Sequence, residues 1–112
     1  MRVQSLATAA PFTTKDGSTI RELHHTDEQS LAEATLAPGQ TTERHYHART
    51  EEIYFLLEGE GEMELDGERR HVAPGDAVLI PAGAWHQIRA ESPLRFVCCC
   101  APPYSHEDTH FE

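Results

Sequence analysis

Two histidines one residue apart, His45-Tyr46-His47, a glutamate at Glu52 and a third histidine at His86 are the side chains of this 112-residue chain whose types and spacing suit chemistry. In extended backbone alternate side chains share a face, so His45 and His47 would offer two imidazoles to one space. Glu52 opens the next extended stretch, with Glu51 competing for the carboxylate role. His86 follows Pro81-Ala82-Gly83 in a later stretch able to close over the same space. Three imidazoles and one carboxylate suit one divalent transition metal: iron, manganese, nickel, copper or zinc. An isolated His-x-His is common on protein surfaces, so the weight rests on the full spacing.

The elements that must position these residues are short strands. Glycine and proline recur at strand-length intervals, at Asp16-Gly17, Pro38-Gly39, Gly59-Glu60-Gly61, Asp66-Gly67, Pro74-Gly75, Pro81-Ala82-Gly83 and Pro93, as in an all-β sandwich or barrel. Between them lie eight expected strands: 31–36, 41–47, 52–57, 62–65, 69–72, 77–80, 85–89 and 94–100. Asp66-Gly67 reads as a tight hairpin turn that needs positive φ. Only 26–34 has helix-forming composition, over a short span, and no segment sustains apolar residues at 3.6-residue spacing. One domain is expected over 1–112, with an N-terminal arm (1–30), a core (31–100) and a polar tail (101–112) lying over the surface or a partner.

Nineteen acidic side chains against eight Arg and one Lys, Lys15, give a formal charge of −10. That balance repels a phosphate backbone, and the cations are scattered, so nucleic acid is excluded as an expected partner. The longest apolar runs, 53–57 and 96–101, fall far short of the roughly 20 residues of a membrane span. The stretch 6–10 is too short for a secretory signal, which predicts a cytoplasmic protein. The triplet Cys98-Cys99-Cys100 reads as reduced thiols, since strand neighbours point to opposite faces.

From Gly39 the sequence runs Gly-x5-His45-x-His47-x4-Glu52-x6-Gly59, and later Gly75-x5-Pro81-x-Gly83-x2-His86. In these two motifs the chain closely resembles a small single-domain cupin from about Leu31 to Cys100. It departs once, with Ala90 where the family's second motif often has Asn. The resemblance implies a conical antiparallel β-barrel (a jelly roll, or double-stranded β-helix) with a metal held inside by His45, His47, Glu52 and His86. The family spacing to Gly59 selects Glu52 over Glu51. A homodimer is also implied, because small cupins commonly pair through a sheet.

With the ligands inward, strand alternation predicts a pocket lined by Tyr54, Leu56, Met63, Ile88, Phe96 and Cys98, with Glu62, Glu64 and Glu68 solvated and Arg69, Arg89 and Arg95 outside. Ile53, Phe55 and Leu57 fall on the opposite face and need covering, by a second sheet, a second subunit or the chain's own N-terminal strand near 18–23. Arg44 and Arg49 are the only cations expected beside the site, so a neutral small molecule is the easier substrate. Cys98 and Cys100 read as small hydrophobes and Trp85 as a packing residue. Tyr104 and His106 read as surface tail, with closing over the barrel or clasping a partner as the alternative, and His24, His25, His71 and His110 as ordinary histidines. Four protein ligands leave open coordination positions, the mark of a catalytic centre. The leading expectation is a metal-dependent oxidoreductase of dioxygenase type. The alternatives are an isomerase, epimerase or lyase acting on a sugar or small acid, and a non-catalytic small-molecule binding protein; the fold does not choose among them.

Overall fold

The computed structural model describes all 112 residues, almost entirely as strands. They are β1 (Phe12–Thr13), β2 (Thr19–His25), β3 (Ser30–Leu36), β4 (His45–His47), β5 (Glu51–Glu58), β6 (Gly61–Leu65), β7 (Glu68–Val72), β8 (Ala77–Ile80), β9 (His86–Ala90), β10 (Leu94–Ala101) and β11 (Thr109–Phe111), with one 3-10 turn at His106–Asp108. Two antiparallel sheets face each other. One has the order β1-β2-β3-β10-β5-β8 and the other β11-β4-β9-β6-β7. All eight expected strands are present. The stretch expected over 41–47 keeps strand pairing only from His45, with Thr41 forming an isolated bridge to Arg89.

Two strands, β1 and β11, go beyond the sequence expectation, while β2 is the N-terminal strand expected near 18–23. The 26–34 stretch is no helix: it is the turn after β2 followed by β3, which pairs with β2 and β10 on either side. The polar tail does not lie loose on the surface, because β11 adds to the edge of the second sheet against β4. Asp108 anchors it, its carboxylate accepting the backbone N–H groups of Ala48, Arg49 and Thr50 at 3.1–3.2 Å.

The core between the sheets is built from Ala34, Leu36, Tyr54, Leu56, Met63, Val72, Ile80, Ala84, Ile88, Ala90, Leu94 and Phe96. Alternation along β5 puts Tyr54 and Leu56 inside and leaves Ile53 and Phe55 outside. Burying a side chain the size of Leu56 or Phe96 contributes about 1.5–3 kcal/mol, so this cluster holds the sheets together. The β6–β7 hairpin turns through Asp66 (φ 48°) and Gly67 (φ 90°), the positive-φ pair a two-residue connection needs.

One parity expectation fails. Glu64 is buried rather than solvated, because Arg44 lies across the outer face of the second sheet and its Nε donates to Glu64 Oε1 at 2.5 Å. Trp85 packs in the same layer, against Tyr46 and under the Arg44 guanidinium. The N-terminal strands join the first sheet edge-on through β3 and do not fold over β5, so its outer face stays open. No helix of the chain is long and apolar enough to cross a membrane.

Candidate metal centre

The two sheets bring the four candidate ligands to one place. His45 and His47 share the inner face of β4, and His86 on β9 is the direct register partner of His45. One ring nitrogen from each of the three imidazoles falls within 4.8 Å of the others, and all three residues are buried. Glu52 comes across from β5 of the opposite sheet, with Oε1 3.3 Å from His47 Nε2 and 3.6 Å from His86 Nε2. Glu52 is buried whereas Glu51 is exposed, as alternation along β5 requires.

Each imidazole is held by its far nitrogen. His45 Nδ1 lies 2.7 Å from the Glu43 carbonyl and His86 Nδ1 3.0 Å from the Ala84 carbonyl; carbonyl oxygens only accept, so both Nδ1 atoms carry the proton. His47 Nδ1 lies 3.3 Å from Thr109 Oγ1, whose hydroxyl donates to the Ser105 carbonyl at 2.9 Å. With its one proton committed, that hydroxyl accepts from His47 Nδ1–H. All three rings therefore turn an Nε2 lone pair toward the shared space, the arrangement by which proteins orient metal-ligating histidines. Glu52 is steadied from behind by the Cys100 thiol, which donates to Oε2 at 3.2 Å.

The electrostatics suit a cation. Burial and the neighbouring His86 push His45 down to about 4, so it is a neutral donor at neutral pH. Burial would also lower His47, but the Glu52 carboxylate more than offsets this and raises it. Burial would raise Glu52, yet His47 and His86 pull it well below the usual carboxylate range, keeping it ionised. Burial lifts the Cys98 and Cys100 thiols far above neutral, so they remain protonated. Glu52 Oε1 and His86 Nε2 are the only buried side-chain nitrogen or oxygen atoms lacking a hydrogen-bond partner. Buried polar atoms are seldom left unpaired, and a metal ion between these two would satisfy both. The donor set therefore fits a divalent metal.

The cavity beside these groups has a volume of about 50 Å³. Tyr54, Phe96 and Cys98 line it, as read from strand parity. Met63 and Ile88 do not: both are buried, but in the core. Leu56 is core as well. Arg44 pairs with Glu64 and Glu112 away from the cavity, and neither it nor Arg49 lines the wall. The wall also contains residues that sequence reasoning passed over: Thr14, Asp16 and Ser18 from the N-terminal arm, and Thr109 from the tail. Tyr104, read as surface, is half-buried there with its ring 6.1 Å from His47, whereas His106 is exposed.

Facing antiparallel sheets that enclose three imidazoles and a carboxylate define a β-barrel with a metal-type site in its interior. Residues 32–100 match the family model described as the Cupin domain, and the chain belongs to the cupin family. An uncharacterized protein of Methanocaldococcus jannaschii is 49% identical over 106 residues, covering 88% of this chain and 85% of its own. An L-ectoine synthase of Saccharopolyspora erythraea is 34% identical over 85 residues, 74% of this chain but only 62% of that enzyme. Among solved structures, Streptomyces Pac13, described as a nucleoside dehydratase, superposes with a TM-score of 0.86 at 14% identity, covering 100% of this chain and 91% of its own.

Proposed function

We propose that His45, His47, Glu52 and His86 hold one divalent transition metal, and that the protein is a metal-dependent catalyst acting on a small neutral or cationic molecule. The observation that carries the metal reading is the pair of unpartnered buried atoms, Glu52 Oε1 and His86 Nε2, which face each other 3.6 Å apart, with His47 Nε2 3.3 Å from the same carboxylate oxygen. A bound ion would supply Lewis acidity and, if redox-active, a route to dioxygen. The chain's own groups would do the rest. Tyr104, whose phenol burial keeps protonated, is placed to donate a proton. The Ser30 hydroxyl, which accepts from the Tyr104 backbone N–H, keeps a proton to offer, the Thr14 and Ser18 hydroxyls, which donate to Asp16, can only accept, and the small cavity restricts the size of what enters.

The Asp16 carboxylate and the Thr14, Ser18 and Ser30 hydroxyls, grouped in an otherwise mostly apolar wall, favour non-oxidative chemistry, an elimination or isomerisation of lyase or isomerase type. The likeness to an L-ectoine synthase, and in fold to a nucleoside dehydratase, supports the same direction. A second reading, dioxygenase-type oxidation, draws on the apolar strip of Ile20, Ala34, Tyr54, Phe96 and Cys98 along the other side of the cavity. Metal analysis of protein purified without chelator, combined with oxygen uptake, separates them. Zinc or manganese without oxygen consumption supports the first, iron with substrate-dependent uptake the second, and no metal in the wild type overturns the centre itself. We further propose that the protein is a homodimer paired through the open outer face of the first sheet, where Ile53, Phe55 and Leu79 are exposed.

A further inference from the structure

Asp16 enters the cavity from the turn between β1 and β2, far along the chain from the four candidate ligands. Its Oδ1 is fully engaged, accepting from Thr14 Oγ1 at 2.6 Å, the Ser18 backbone N–H at 2.9 Å and Ser18 Oγ at 2.6 Å. The Asp16 carbonyl accepts from the Glu43 backbone N–H at 2.9 Å, which fastens the turn beside β4. A turn-capping aspartate needs only one oxygen. The other, Oδ2, is left 3.9 Å from His45 Nε2 on the cavity wall, with the side chain only 15% exposed. Glu52 approaches His47 and His86, so the two carboxylates flank the imidazole cluster from different rings. No Lys or Arg lines the cavity to neutralise Asp16.

We infer that Asp16 is a ligand-selecting residue, holding a negative charge beside the metal so that a bound molecule presenting an ammonium or hydroxyl hydrogen is favoured and an anion disfavoured. The inference rests on the metal reading above and names the charge class its site would take. Asp16 grips its own turn through Oδ1 and offers Oδ2 to whatever occupies the position next to the ion.

Cobalt(II) gives the test a visible signal. Wild type, Asp16→Asn and Asp16→Glu are each loaded with cobalt, and azide and imidazole are titrated against the cobalt absorption bands. Asn can keep the three Oδ1 acceptor contacts while losing the charge, and Glu keeps the charge. The expected result is equal cobalt stoichiometry in all three, with azide bound roughly tenfold more tightly by Asp16→Asn, near the water-like end of the range for removing one nearby charge. Neutral imidazole should be unchanged across the set, and azide binding by Asp16→Glu should stay near wild type. Equal azide affinity in wild type and Asp16→Asn overturns the inference. So does loss of cobalt by Asp16→Asn at unchanged circular dichroism, which would make Asp16 a metal ligand. A wild type that takes up no cobalt sinks the metal reading itself, a separate and recognisable failure.

Discussion

His47 on β4 and Thr109 on β11 are direct register partners, and the Thr109 hydroxyl accepts from His47 Nδ1 at 3.3 Å because its own proton is given to Ser105. The last strand of the chain thus fixes the proton position of a candidate ligand 62 residues earlier. Thr109→Val keeps the shape and removes the acceptor. We expect the fold to persist and metal affinity to fall about 10–100-fold, the usual cost of losing such an orienting partner. A chelator competition titration reads this, and unchanged affinity would remove Thr109 from the site.

Removing a candidate ligand should act more strongly. In His86→Ala and in Glu52→Gln, metal content by plasma mass spectrometry is expected to drop below about a tenth of wild type while the β-sheet circular dichroism is retained. Glu52→Gln is the sharper case, because it preserves volume and takes away only the charge drawn toward His47 and His86. Full occupancy in either variant would remove that residue from the ligand set.

Asp108 predicts a pH dependence of stability. Burial would raise its pKa, but the backbone N–H groups of Arg49, Thr50 and Ala48 more than offset this and hold it below the usual carboxylate range. A carboxyl whose folded-state pKa is depressed adds stability above its unfolded value of about 3.9, and that stability is lost as the pH falls through the folded value. Asp108→Asn in metal-free protein should therefore cost about 1–3 kcal/mol at pH 7, the scale of hydrogen bonds to a charged acceptor. The gap from wild type should narrow at pH 3. Urea denaturation at the two pH values checks it, and a gap that widens in acid refutes the assignment.

Gly59 is where the first motif meets the core wall. Its φ is +80°, and a Cβ there would fall 2.0 Å from the Pro93 carbonyl oxygen, a backbone atom that cannot swing aside. Gly59→Ala should destabilise by at least about 3 kcal/mol, from positive-φ strain together with the clash. Gly67→Ala, at φ +90° with nothing within 4 Å, should cost only the strain, about 1–2 kcal/mol. Thermal melts of the two variants test the ranking, and equal losses would show that close approach is not what Gly59 provides.

The positions of the four candidate ligands were legible because each sits in a strand whose alternation is strict and whose flanking Gly and Pro set its start. Parity along β5 puts Glu51 and Glu52 on opposite faces, but both faces are apolar, so the family spacing to Gly59 is needed to choose Glu52, which is buried. Parity tells inside from outside but not one end of a barrel from the other, which is why Met63 and Ile88 face inward yet line the core and not the cavity. Glu64 was misread because an acidic residue in alternation looks solvated until a long cation such as Arg44 folds over it. Asp16 and Thr109 were missed for a different reason. In sequence an Asp before Gly signals a turn, and a Thr in a polar tail signals nothing, whereas their roles depend on where the β1–β2 turn folds and on edge pairing by β11, a strand without an apolar alternation to announce it.

The outer face of the first sheet gives the last prediction. Ile53 pairs with Leu79 on β8 and with Cys99 on β10, and Phe55 pairs with Ala77 and Val97. Cross-strand partners point the same way, so these six side chains form one continuous apolar patch. Ile53, Phe55 and Leu79 are 40%, 43% and 53% exposed in the single chain, more large apolar surface than one sheet face normally leaves in water. The chain's own N-terminal strands lie beside this face and do not cover it. If a second copy does, sedimentation velocity should give twice the 12.5 kDa chain mass for wild type. Phe55→Glu, which sets a charge in the middle of the patch on an already acidic protein, should give a monomer with its metal content unchanged, because Phe55 points away from the cavity. A monomeric wild type would refute the pairing, as would a Phe55→Glu protein that stays dimeric.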